Sequence, residues 1–182
     1  MKQLSQKISE ALKDSDKSIL DYIGMLAKFS SGVHQELAKQ KQKDLDSVDC
    51  IPLSEVFSKQ EISDIKKYVH PIMKECYRNA WRLCDHYAFT KDHDIKYVEG
   101  FINFHGFPIE HAFNKVDGKY VDITQEIALK NDVTKEAYCV YGEFDTDTVR
   151  DILLQNGFYG QIYDTVFLNK YHEKIDKDTD AA

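Results

Sequence analysis

The chain has 182 residues, 42% of them apolar and 30% charged, with a formal net charge of −7. That length supports one domain with a sizeable core, and three prolines and eight glycines are too few for a low-complexity chain. The acidic balance argues against nonspecific binding to nucleic acid or to an anionic membrane, and there is no apolar run of the roughly 18 residues that a membrane-spanning helix needs.

The opening residues, Met1 to Glu10, lack the apolar stretch of a secretory leader. Residues 1–47 read as helical. Leu4, Ile8, Ala11 and Leu12 recur on one face, and Ile19, Tyr22, Ile23 and Leu26 repeat the pattern. The stretch from Ala38 to Asp46 is polar and charged, and reads as a solvated helix end or linker. Ser58 followed by Glu61 is a helix-start signal, with Ile62, Ile65 and Val69 facing inward behind it. His70-Pro71 interrupts the pattern. A new helix is expected from there to about Tyr87, with Ile72, Cys76, Ala80, Leu83 and Cys84 along one stripe. Its first residue lies anywhere between Pro71 and Glu75.

After residue 93 the periodicity changes. Ile95 to Phe104 is rich in aromatic and β-branched residues and reads as a strand. A turn at Gly106-Phe107-Pro108 leads to a second strand, Ile109 to Lys115. Asp117-Gly118 is a hairpin turn into a third strand, Lys119 to Thr124. Ala137 to Gly142 forms a fourth. Asp147 to Gln155 is helical, with Asn156-Gly157 as its stop and with Asp145 and Asp147 at its start. Residues 158–169 fit more than one element. Helices followed by an antiparallel meander give an α+β fold, divided as a helical extension over 1–48, an α+β domain over 49–173 and a charged flexible tail over 174–182.

Cys76, His111 and Asp122 carry the chemistry. A thiol near a helix start, an imidazole on one strand and a carboxylate on the next are the parts of a thiol nucleophile site. The unperturbed thiol is mostly protonated near neutral pH. A neighbouring imidazole takes the proton, and a helix N-terminus stabilises the thiolate. A two-residue loop at Asp117-Gly118 pairs Val116 with Lys119, and counting outward pairs His111 with Thr124 and Phe113 with Asp122. Asp122 is then a diagonal neighbour of His111 on the same face, within reach of one imidazole nitrogen. The oxyanion hole would include the Cys76 N–H, with Asn79 or Tyr97 as candidates for a second donor. Glu99 is a candidate for shaping the substrate pocket.

His111-Ala112-Phe113, a turn, then Tyr120-Val121-Asp122-Ile123-Thr124 resembles the His-Ala-Trp … Val-Asp-Pro-Thr run of transglutaminase-like proteins, part of the wider papain-like class of thiol enzymes. Cys76-Tyr77-Arg78-Asn79-Ala80, Tyr97 to Gly100 and Pro108 to Phe113 also resemble small bacterial and phage proteins. The resemblance covers about residues 70–125. Phe113 stands for the usual Trp, Ile123 stands for the usual Pro, and the segment before Cys76 lacks the usual Gly. The resemblance implies a papain-like core with Cys76 on a helix, and His111 and Asp122 on adjacent strands. It also implies a hydrolase or acyltransferase acting on a peptide or amide through a thioester, without a cofactor or metal.

Other readings of the same residues are blander. Cys50, Cys84 and Cys139 are sparse and irregularly spaced, as expected of reduced core thiols in a cytoplasmic protein rather than of a disulfide framework. Cys84, His86, His93 and His105 match no common zinc spacing, and Asp145, Asp147 and Asp151 match no calcium loop. The aromatic set Phe158, Tyr159, Tyr163, Phe167 and Tyr171 reads as core and rim packing. The functional alternative to an enzyme is a catalytically silent protein-binding module, for instance a phage-type inhibitor of a host protein. The oligomeric state is not legible in the sequence.

Overall fold

A computed structural model describes residues 17–90, 92–104 and 107–180, the last six as backbone. The fold is α+β. A helix over 17–29 (α1) is followed by α2 (Val33–Asp44), β1 (Asp46–Val48), α3 (Lys59–Asp64), α4 (Cys76–Tyr87), β2 (Ile95–Phe104), β3 (Phe107–Val116), β4 (Lys119–Val121), β5 (Ala137–Phe144), α5 (Thr146–Asn156) and α6 (Ile162–Asp180). Leu4, Ile8, Ala11, Leu12, His105 and Gly106 lie outside the described residues. Among the described residues, no helix is long and apolar enough to cross a membrane.

The five strands form one antiparallel sheet in the order β1-β5-β2-β3-β4. The strands β2, β3 and β4 make the expected meander. The last strand, β5, returns to the far side of β2, because two short helical turns after β4 carry the chain back across the sheet. Past β1, Cys50 bridges Tyr120 of β4, and the Ile51 N–H donates to the Tyr120 carbonyl at 2.9 Å. The two edge strands are thereby joined through backbone, which curls the sheet and protects its edges.

Strand alternation divides the core. Val98, Ile102, Phe113, Tyr138 and Val140 meet inside the curl. On the outer face, Tyr97, Ala112, Val116 and Val121 pack with Ala80, Leu83 and Cys84 of α4, Val149 and Ile152 of α5, and Ile65 and Val69. Phe101, Cys139 and Tyr141 pack with Ile19 and Ile23 of α1. Strand β2 is buried along nearly its whole length. It bulges against β5 between Glu99 and Gly100. There a Cβ on Gly100 would stand 1.9 Å from the Cys139 carbonyl oxygen, so only glycine fits.

Several expected elements appear with local causes. Ser58 and Glu61 form a complete capping box on α3, which continues into a π turn at Ile65–Val69. Asp145 caps α5 by accepting from the Thr148 N–H, and Gly157 closes that helix in the left-handed region. The Asp117-Gly118 turn sets the expected register, with Val116 opposite Lys119 and Asn114 opposite Val121. Of the ambiguous aromatic stretch, residues 158–161 form a bend and 162–169 open α6, which runs on through residues 174–180.

Two expectations need correction. Strand β4 ends at Val121 rather than Thr124. The Asp122 carboxylate accepts from the backbone N–H groups of Thr124 (2.9 Å) and Gln125 (3.1 Å), which turns the chain out of the sheet. The polar stretch 38–46 is the largely exposed end of α2, as expected, but it is not solvated throughout. It contains buried Ala38 and Lys41, and Asp46 opens β1. The Lys41 ammonium is only 7% exposed as a residue and meets Glu110 of β3 (2.9 Å) and Asp164 of α6 (2.7 Å). Those partners lie far away in sequence, so the local pattern of charges could not reveal the burial.

Candidate active site

The helix α4 begins at Cys76 itself, with Glu75 at the cap position and Lys74 before it in the left-handed region at φ 69°. A non-glycine residue rarely adopts that conformation. Here Lys74 makes the sharp turn that a glycine would make with less strain. The preceding loop is pinned by Asn79, one turn into α4. Its carboxamide oxygen accepts from the Ile72 N–H (3.0 Å), and its nitrogen donates to the Ile72 carbonyl (2.7 Å) and to Thr124 Oγ1 (3.0 Å). The thiol therefore stands at the positive end of a 12-residue helix, where unpaired backbone N–H groups favour an anion.

His111 lies on β3 just beyond the point where β4 stops. Because β4 ends opposite Asn114, the edge of β3 at His111 and Ala112 is left for α4. The Ala112 N–H donates to the Cys76 sulfur, and the His111 imidazole hydrogen-bonds to the same atom. On its other side, His111 Nε2 donates to Asp122 Oδ2 at 2.6 Å, which leaves Nδ1 for the thiol. Asp122 is 1% exposed and its two oxygens have four partners. Oδ1 accepts from the Thr124 and Gln125 N–H groups, and Oδ2 accepts from His111 and from the Tyr138 hydroxyl at 3.1 Å. Phe113 stacks beside His111 and sits edge-on to Tyr138.

The electrostatics follow from these contacts. Burial pushes the Cys76 thiol up, but the hydrogen bond and charge of His111, with the Ala112 N–H, more than offset it and hold the thiol below its ordinary range. Burial pushes His111 down, but the charge of Asp122 and the bonds to Asp122 and Cys76 raise it well above an ordinary imidazole. The thiolate–imidazolium form is favoured by both directions. The other thiols behave differently: burial pushes Cys84 up to about 12 and raises Cys50. Both are core residues, as is Cys139.

Cys76, His111 and Asp122 are thus brought together, while the three auxiliary candidates make other contacts. Asn79 is fully buried and spends its carboxamide on Ile72 and Thr124. Glu99 is 0% exposed and caps α6, accepting from the N–H groups of Ile162 and Tyr163, each at 3.0 Å. Burial raises its pKa despite those bonds, making the carboxyl a weaker acid. Tyr97 donates its hydroxyl to Glu99 at 3.0 Å. None of the three lines the cleft over Cys76. His93 lies between Glu61 (2.9 Å) and Asp117 (2.6 Å), and among the described residues no three or more His, Cys, Asp or Glu are arranged so that they could hold a metal ion.

The cleft over the thiol has a volume of about 570 Å³. Gln125 is the feature of it that local sequence reasoning missed. This residue follows the Asp122 turn and lines the cleft, and Asn131 Nδ2 donates to its Oε1 at 2.8 Å. With the oxygen held, the amide nitrogen is the end left to donate. Only the turn at Asp122 brings Gln125 there, so no spacing rule from Cys76 would have found it.

No family model, curated protein or solved structure matches this chain. The site therefore has to be read from its own chemistry.

Proposed function

We propose that this protein is a thiol-dependent hydrolase or acyltransferase of the transglutaminase-like, papain-like type, working through Cys76, His111 and Asp122. The single observation that carries the reading is the continuous chain of contacts from a thiol at the first residue of a helix, through an imidazole, to a buried carboxylate. Three buried core cysteines in the same fold have no such arrangement.

In the proposed mechanism, His111 holds the Cys76 proton and the thiolate attacks an acyl carbon. Asp122 keeps the proton of Nε2 in place, so Nδ1 always faces sulfur. The negative oxygen of the tetrahedral intermediate is met by the Cys76 N–H and by Gln125 Nε2. His111 returns its proton to the leaving group, a thioester remains, and water or an amine resolves it. The substrate class on this reading is an acyl compound or a peptide-type amide.

The test is the pH dependence of Cys76 alkylation by iodoacetamide, compared with His111→Ala. Wild type should react well below the ordinary thiol range. In the variant, an ordinary thiol of pKa ~8.5 is only about 1% ionised near pH 6.5, so the rate there should fall at least about tenfold. Equal rates would overturn the catalytic reading and favour a protein-binding module.

A further inference from the structure

We infer that the cleft over Cys76 takes an apolar acyl group, an aliphatic chain on an ester or thioester carbonyl, rather than a polar carboxamide side chain. This rests on the thiol reading above and adds the substrate class. The walls are Met73, Tyr77, Ile102, Phe104, Ile109 and Leu129, and the polar lining is confined to Lys74, Glu110, Thr124 and Gln125 beside Cys76 and His111. Most of that polar lining is already engaged by the protein. Lys41 holds Glu110, Asn79 donates to Thr124 Oγ1, and Asn131 holds the Gln125 oxygen. Gln125 Nε2 is left for the reacting carbonyl. A second carboxamide deep in the cleft would give up its water without matching partners on the apolar walls, which is costly.

The rim points the same way. Met73 is 55% exposed on the loop before α4, and Ile109 is 46% exposed on β3, both beside the nucleophile. Phe107 and Ile72 extend the exposed apolar surface along the same hairpin and loop. Contiguous apolar surface at the mouth of a concave site marks a place where an apolar ligand is desolvated. The volume of about 570 Å³ falls within the usual range for small-molecule sites, roughly 300–1,000 Å³.

The experiment uses the full chain and a series of 4-nitrophenyl esters from acetate to decanoate. The sulfur–carbon bond forms as the bond to 4-nitrophenolate breaks. Water then cleaves the thioester, giving the carboxylic acid and restoring the thiol. Released nitrophenolate gives the rate, and intact mass locates the acyl group on Cys76. The second-order acylation rate should rise about fourfold per added methylene until the cleft is filled. Ile109→Ser should cut the decanoate-to-acetate ratio by about tenfold.

A flat or falling series with Cys76 still acylated would overturn the apolar assignment and leave the thiol reading standing. So would a chain-length slope that persists in Cys76→Ala, since the esters would then be reacting elsewhere. No acylation of Cys76 by any ester, together with alkylation indifferent to His111, would overturn both.

Discussion

Replacing Asp122 with asparagine separates the electrical role of this residue from its shape. Its Oδ1 accepts from two backbone N–H groups, Thr124 at 2.9 Å and Gln125 at 3.1 Å. Those donors cannot be reversed, so the asparagine oxygen must stay with them. Its NH2 group then points at His111 Nε2 and the Tyr138 hydroxyl, which now face a donor where they had an acceptor. Nε2 is forced to accept, the imidazole proton moves to Nδ1, and the atom facing Cys76 can no longer take the thiol proton. Fixing the wrong tautomer in a triad costs about 10⁴ in rate. Loss of one charge-assisted bond costs about 1.5–3 kcal/mol. For a chain of this size that lowers Tm by about 3–12 °C, so the variant can still be assayed folded.

The assay is the iodoacetamide rate from about pH 5 to pH 9, with thermal melts at each pH. Reactivity at low pH should vanish, and the remaining rate should climb about tenfold per pH unit, as for an ordinary thiol. The stability gap has a definite sign. His111 is raised in the fold, so its contribution is complete below the unfolded value of ~6.5 and is lost as pH rises through the folded value. Wild type should therefore exceed Asp122→Asn most on the acid side of that window. Retention of the wild-type rate near pH 6 in a folded variant would refute the claim that Asp122 sets the imidazole.

Two further outcomes follow from the same geometry. Gln125→Ala should lower ester acylation of Cys76 by about 10²–10³-fold while leaving the pH profile of iodoacetamide alkylation in place, because alkylation builds no oxyanion. Equal acylation rates would remove Gln125 from the proposed hole. Lys41→Met strands the carboxylates of Glu110 and Asp164 beside each other and should cost about 2 kcal/mol, discounted because Glu110 is partly exposed. Chemical denaturation measures this, and an unchanged midpoint would show the buried ammonium to be energetically neutral.

Local chemistry determined much of this protein. The β-branched and aromatic run Ile95 to Phe104 became β2 at both ends, and Ser58 with Glu61 became a capping box. Asp117-Gly118 set the β3–β4 register, and Asp122 follows directly after β4, so the meeting of His111 with Asp122 could be read from strand alternation. These features depend on neighbours within a few residues, and such neighbours are visible in a linear chain.

Tertiary structure decided the rest. The start of α4 at Cys76 was open in the sequence, because it depends on Asn79 gripping Ile72 and on Lys74 accepting a left-handed turn. The shortness of β4, which leaves the Ala112 N–H for the thiol, comes from Asp122 bonding its own following backbone. Asn79, Tyr97 and Glu99 looked available for substrate until packing assigned them to a loop, to each other and to the start of α6. Lys41 looked solvated until Glu110 and Asp164 met it. A buried polar group takes whichever partner the fold brings, and for Lys41 and Glu99 those partners include residues more than 60 positions away. Their identity is a property of the packed chain, and no local pattern encodes it.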